Sequence, residues 1–355
     1  MRLNLINKLI IAFIIMLLPV LPIFAEGNEE KAEVDVKEIV LGHTGDSHEW
    51  HITTVNGHSI AIPLPVIVKS NTTGWHVFMS SKLEEGEYEG LYIAKEGANE
   101  NKICEIVNGQ EQRVAFDISI TKNVAQLWII IILMLWVFLS CARWYKKKSA
   151  DSDAPKGFVG FMEMFIMMVN DDIIKASIGE KHYRPYAPYL LTAFFFIFFS
   201  NLIGLVPIFP GGANITGNIA ITLFLAVCTF IAINLFGNKE YWIDIFWPKV
   251  PLWLKCPVPM MPVIELFGIF TKPFALMVRL FANIFAGHAI ALSLACVIFI
   301  TCQIGIVVGT SLSAVSVLMM VFMDCLEILV AFIQAYVFTM LSAVFIGMAH
   351  QEEHE

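Results

Sequence analysis

Charged residues are scarce in this chain, 15% of its 355 residues, against roughly a quarter in a typical soluble domain. Net charge is −8, and no Lys or Arg follows Arg279, so no basic face is available to bind nucleic acid. Of seven cysteines only Cys104 lies in the polar N-terminal stretch, which excludes a disulfide framework there. The sequence has no GxxxxGK[ST] loop to cradle nucleotide phosphates, no HExxH, and no zinc-ligand spacing. Neither a parallel nor an inverted internal repeat is visible, which argues against the usual build of a secondary transporter. What fills the chain is apolar: 57% hydrophobic residues, 28 Phe and a mean hydropathy of +0.70. Several runs are long enough to cross a bilayer, and the chain reads as an integral membrane protein.

Residues 1–25 carry Arg2 and Lys8, an apolar stretch from Leu9 to Phe24 broken by Pro19 and Pro22, and Ala25 before an acidic run. This is the pattern of a cleavable signal peptide, with an uncleaved anchor as the alternative; either puts residue 26 onward outside the cytoplasm. Residues 26–123 hold 17 acidic and 8 basic side chains and are expected to form a small periplasmic domain. Within it EWHITTV and HSIAIPLPVIV flank Asn56-Gly57, a strong hairpin signal. His43, His48, His51, His58 and His76 also fall here. Solvated or strand-paired imidazoles account for them better than a metal site, and none is assigned.

Residues 124–355 are expected to form the membrane domain, an all-α polytopic bundle of five spans. The first, 124–144, ends in Arg143 and Lys146 to Lys148, which puts that end in the cytoplasm. Residues 155–180 are too short and one-sided an apolar run to span, and predict an interfacial amphipathic helix. Spans at 186–209 and 218–236 are joined by an uncharged Pro-Gly-Gly loop, read as outside. The loop from Gly237 to Lys272 holds four lysines and is read as inside. The last two, 273–300 and 313–348, exceed the ~20 residues of a perpendicular span and should be strongly tilted. The tail HQEEHE is then cytoplasmic.

Arg279 is the most informative residue, because a cation near mid-helix costs at least ~2.5–3.5 kcal/mol even on lenient insertion scales. Guanidinium does not deprotonate, so the charge must meet water or a carboxylate from another helix or chain. Snorkelling toward the interface near Lys272 is the alternative. At 100° per residue Asn283 lies about 40° from Arg279 and His288 about 180° away. On the last span Asp324, Glu327 and Gln334 fall within about 80° of one another, a polar stripe. An antiparallel pairing of the last two helices puts His288 level with Glu327, and an imidazole facing a carboxylate can pass protons.

The segment KPFALMVRLFANIFAGH and the segment LEILVAFIQAYVFTMLSAVFIGMAHQEEH, with YLLTAFFFIFFSNLIGLVP and TGNIAITLFLAV before them, resemble subunit a of the membrane sector of F-type ATP synthases, over roughly residues 155–355. By that resemblance Arg279 is the stator arginine, with Asn283 and Gln334 its accompanying polar residues. Asn218 matches a position lining the outer half-channel, and Glu265 and Lys272 match the cytoplasmic start of the tilted helix. The family often has a carboxylate at the position of His288 and a histidine at that of Glu327; here the two are exchanged. The resemblance implies a non-catalytic stator in the bacterial inner membrane that works with the c-ring of subunit c and with subunit b of the peripheral stalk, without a cofactor. Protons would reach the c-ring carboxylates through a periplasmic half-channel and leave by a cytoplasmic one. An N-terminal extension like this one occurs in Bacteroidetes-like members. An ion-coupled secondary transporter, with Arg279 as its anion site, is the alternative reading.

Overall fold

The computed structural model describes residues 45–55, 58–84, 86–94, 99, 101–107, 109–147, 154–206, 211–247, 260–302 and 306–350. The expected signal peptide, the Asn56-Gly57 turn, His43 and the tail after His350 lie outside them, as do the side chains of His51 and His58.

The N-terminal part is richer in strands than one hairpin. β1 (Glu49–Val55) and β2 (His58–Pro63) pair antiparallel with Val55 opposite His58, as the Asn-Gly signal predicts. β3 (Pro65–Ser70) is the centre of a second sheet, with β4 (Gly74–Met79) on one side and β8 (Phe116–Asp117) on the other. Between β4 and β8 come a short helix, α1 (Ser81–Glu84), and a third sheet of β5 (Leu91–Ile93), β6 (Ile103–Val107) and β7 (Gln110–Arg113). Strict alternation along β3 turns Val66 and Val68 inward, where they meet Phe78, Leu83, Leu91, Ile103 and Val114.

One buried carboxylate ties two of these sheets together. Glu105 on β6, 3% exposed, accepts hydrogen bonds from Ser70 Oγ at 2.5 Å, Asn71 N at 2.7 Å, Asn71 Nδ2 at 2.6 Å and Thr72 Oγ1 at 3.3 Å. Burial acts to raise this carboxyl, but the four donors outweigh it and hold it below the usual range. Burial likewise acts to raise Asp117, and His48, 3.8 Å away, together with Ser119 brings it down to about 2. Both folded values lie below the unfolded ones, so both carboxylates contribute stability that is complete above about pH 4.5 and is lost as pH falls through the folded values. Limited proteolysis of the reconstituted chain should therefore find the N-terminal domain resistant at pH 6 and progressively cleaved between about pH 4 and 2. Glu105→Ala leaves buried donors unpaired, at a cost on the order of 2–3 kcal/mol, and should bring the same cleavage at neutral pH.

Among the described residues, five helices are long and apolar enough to cross a membrane. They are α2 (Lys122–Lys147), α4 (Tyr183–Gly204), α5 (Ile219–Phe236) and the two long helices α7 (Met260–Cys302) and α8 (Ile306–Met348). Two shorter helices are α3 (Phe158–Met167) and α6 (Lys239–Phe246). On α2, Ile130, Met134, Val137 and Cys141 form a buried stripe at helical spacing, with Phe138 edge-on to Phe195 at 5.0 Å. Phe332 of α8 inserts among Phe165, Phe194 and Phe198.

The boundaries depart from expectation where polar or proline residues were taken as ends. The fourth span does not begin at Pro273: α7 starts at Met260 and carries Pro273 inside it. A helix this long absorbs the one backbone bond that a proline removes. The fifth begins at Ile306 rather than 313, so much of the Gly/Ser/Thr-rich connection is helical. The second span ends at Gly204 rather than 209, and Asn218 caps the third, its Oδ1 accepting from Ala220 N at 2.9 Å. Residues 155–180 are not one amphipathic α-helix. After α3 the chain widens into a π-helical stretch, Met168–Lys175, and one further turn, Ala176–Ile178, with Val169, Ile173, Ile174 and Ile178 buried in the bundle core.

Hydrogen bonds fix the two ends of the bundle. At one, the N-terminal domain meets α2: Asp46 Oδ1 accepts from Asn123 N at 3.1 Å and Ser47 O from Lys122 N at 2.9 Å. At the other, His350 Nδ1 contacts Ile346 O at 2.9 Å and Nε2 contacts Tyr186 OH at 2.8 Å, and Asn238 N donates to Ala349 O. Here α8 lies so close to the Ala176–Ile178 turn that a Cβ at Gly347 would collide with the Ser177 carbonyl. Gly347→Val must push two backbones apart, a cost of about 3 kcal/mol or more. It should lower the temperature at which the detergent-extracted protein loses solubility, whereas Met348→Val, at an exposed neighbour, should not.

Candidate functional site

The two long helices pack against each other along much of their length, and the polar residues on them are distributed in zones. His288 of α7 and Glu327 of α8 face each other, Nδ1 to Oε2 at 4.0 Å. That is beyond a direct hydrogen bond and within reach of a small side-chain rotation. Glu327 is 9% exposed and its Oε1 has no hydrogen-bond partner among the described residues. Gly287 makes the approach possible, since a Cβ there would lie 2.9 Å from that oxygen. Asp324 sits one turn along α8 and is half-buried.

Counting seven residues along each antiparallel helix from this pair brings Gln334 level with Phe281, about 10 Å further on. Gln334 is buried. Arg279 and Asn283 occupy the exposed side of α7, and no carboxylate lies within ion-pair distance of Arg279 among the described residues. About 10 Å beyond Arg279 comes Lys272, whose Nζ is 3.7 Å from Glu265 Oε1 and 5.9 Å from the Phe345 ring. Arg279 therefore stands between two ionisable zones: His288 with Glu327 on one side, Lys272 with Glu265 on the other. Asn218 is held in its cap and is half-exposed.

Several polar residues in the bundle were not singled out from the sequence. Asn201, 3% exposed, donates to Ala331 O at 3.1 Å and accepts from Thr216 Oγ1 at 2.6 Å. Gln126 Oε1 accepts from Ala213 N at 2.8 Å. Tyr189, Thr229 and Ser342 form a chain of hydroxyls at 2.8 and 3.3 Å. The signal available was their polarity within apolar runs, which costs free energy unless satisfied. Among the described residues no cluster of three His, Cys, Asp or Glu could hold a metal. His76 instead bonds Glu89 and Thr73.

Comparison with known proteins adds a family to this geometry. A model described as ATP synthase A chain matches residues 124–347, and one for a domain of unknown function (DUF8433) matches residues 39–126. ATP synthase subunit a of Chlorobium phaeobacteroides (strain DSM 266) is 46% identical over 246 residues, 67% of this chain and 68% of that protein. ATP synthase subunit a 2 of Chlorobaculum tepidum is 43% identical over 248 residues, 68% and 66% of the two chains. ATP synthase subunit a of Chloroherpeton thalassium is 42% identical over 243 residues, 67% and 68%. The chain thus spans about two thirds of the length of these relatives. The family match covers more than half of the chain and takes in Arg279, His288, Glu327 and Gln334, and the protein belongs to the F-type ATP synthase subunit a family, a membrane component that is not itself catalytic.

Proposed function

We propose that the chain is the stator channel of a proton-translocating ATP synthase, and that Arg279 divides its two half-channels. The observation that carries the reading is the position of Arg279: an ionised, exposed side chain without a carboxylate partner among the described residues, between two ionisable zones on one helix pair. A permanent cation in an apolar slab attracts a carboxylate and repels protons. A rotor ring of subunit c carrying one carboxylate per subunit supplies that partner. His288, Glu327 and Gln334, with Asn218 nearer the mouth, form the outer pathway that protonates the ring. Neutral carboxylates turn into lipid, come round to the stator, ionise beside Arg279 and Asn283, and release their protons along the Glu265 side.

The orientation follows from charge. The lysine-rich end of α2 and the end of α7 that carries Lys272 face the cytoplasm, and the domain over residues 26–123 faces the periplasm of the bacterial inner membrane. Subunit b of the peripheral stalk would hold the chain against the torque of the ring. Each proton crossing 100 mV delivers about 2.3 kcal/mol.

Asn283→Cys, on the same exposed side as Arg279, tests the interface. It should form an oxidant-induced disulfide with a cysteine placed beside the rotor carboxylate in the assembled enzyme. Failure at every position along the rotor helix, with cross-links forming instead to lipid-facing controls, would remove the rotor from this face.

A further inference from the structure

The sheet of β4, β3 and β8 is apolar on both sides. Val66, Val68 and Phe78 point into the core. The opposite side is formed by Trp75, Val77 and Met79 of β4, Phe116 of β8 and Ile118 just beyond it, all exposed. The register sets them in rows. Trp75 lies beside Lys69 and Lys69 beside Phe116; Val77 lies beside Ile67, whose carbonyl accepts from Ile118 N. A contiguous apolar face of this kind marks a surface that something covers.

Charge and position identify the cover. Residues 26–123 hold 17 acidic side chains against 8 basic, yet none of the residues named on this face is acidic. Its only charge is Lys69, whose Nζ lies 6.0 Å from the centre of the Phe116 ring. The strand that carries Phe116 and Ile118 continues to Ile120, which is bonded to the Pro65 carbonyl, and α2 begins at Lys122. Six residues of extended chain reach at most about 20 Å, so the face stands close to the level where the span leaves the bilayer. Beyond that level the exposed apolar stripe runs on along α2 through Val124, Trp128, Ile132 and Leu135. Apolar side chains are thus exposed both on the sheet face and along the span that follows it. Tryptophan and lysine beside aliphatic side chains are the residues that settle at a membrane–water boundary.

The geometry points to a lipid-binding role for the outer domain: the Trp75–Val77–Phe116 face lies on the outer leaflet of the membrane, with the rings at the headgroup–acyl boundary and Lys69 among the phosphates. This docking fixes the domain's tilt against the bilayer, and it is independent of the proton path proposed above.

The test is tryptophan quenching in the complete ATP synthase reconstituted into phosphatidylcholine vesicles, outer domain facing the bath, with the Trp75 emission taken as the difference between the wild type and Trp75→Phe. Phospholipid brominated on its acyl chains should quench at least half of that component, and aqueous iodide almost none. Val77→Glu, at a position 72% exposed and so harmless to the core, should reverse the two results. Quenching of wild-type Trp75 by iodide and not by brominated lipid overturns the proposal, because the face is then bare. Protection from both quenchers also overturns it, because a protein then covers the face.

Discussion

Arg279→Ala is expected to reduce ATP synthesis driven by a proton gradient to background, while the assembly still forms. The reason is electrostatic and specific to this position. The side chain is exposed on α7 and has no carboxylate of its own chain beside it among the described residues, so its removal leaves no buried charge behind. Folding should tolerate the change, whereas on the proposed mechanism a rotor carboxylate loses its strong reason to ionise in an apolar slab. The measurement is made in vesicles, as ATP synthesis with the catalytic head attached and as proton flux after the head is stripped. Flux that needs both this chain and the c-ring supports the assignment. Normal synthesis in the variant would end it, and solute uptake by this chain alone would support the transporter reading. Arg279→Lys should fall far short of wild type, because an ammonium sheds its proton in a low dielectric much more readily than a guanidinium does.

The second large effect is expected at the facing pair. His288→Glu puts two carboxylates where an imidazole and a carboxylate now stand 4.0 Å apart, and Glu327→His puts two imidazoles there. Either loses the pairing of unlike groups that is proposed to pass a proton. Each single change should lower the rate of coupled synthesis at least ~10-fold, about 1.4 kcal/mol in the barrier. The double exchange restores one group of each kind and should be faster than either single variant. Strictly additive losses in this cycle would show that the two residues act separately.

Much of the membrane architecture was legible because hydropathy alone reports a span. The five long helices stand where the apolar runs stood, and the Asn-Gly pair located β1 and β2. The level of His288 with Glu327 was legible for a related reason, since helical rise and an antiparallel turn fix which residues meet. The packing faces were not. In α4 and α5 every side is apolar, and a Phe in the core is chemically the same as a Phe against lipid, so nothing marked Phe194 as fully buried and Phe224 as exposed. Pro273 misled for a different reason: it was read as a helix start, but α7 runs through it. The hydroxyl chain of Tyr189, Thr229 and Ser342 joins residues up to 153 positions apart, and only the assembled bundle brings them together. The outer domain beyond its first hairpin escaped notice because its strands are short, and because Glu105, which links them, looks in sequence like any solvated acid.

The carboxylate of Asp46 completes the first turn of α2, 77 residues further along the chain. An isolated α2 would start with its leading amide groups unsatisfied. Two of them, on Lys122 and Asn123, are satisfied by Ser47 O and Asp46 Oδ1 of the preceding domain. A change that unfolds that domain should therefore also fray the start of α2, so that the helix end reports on the domain that caps it.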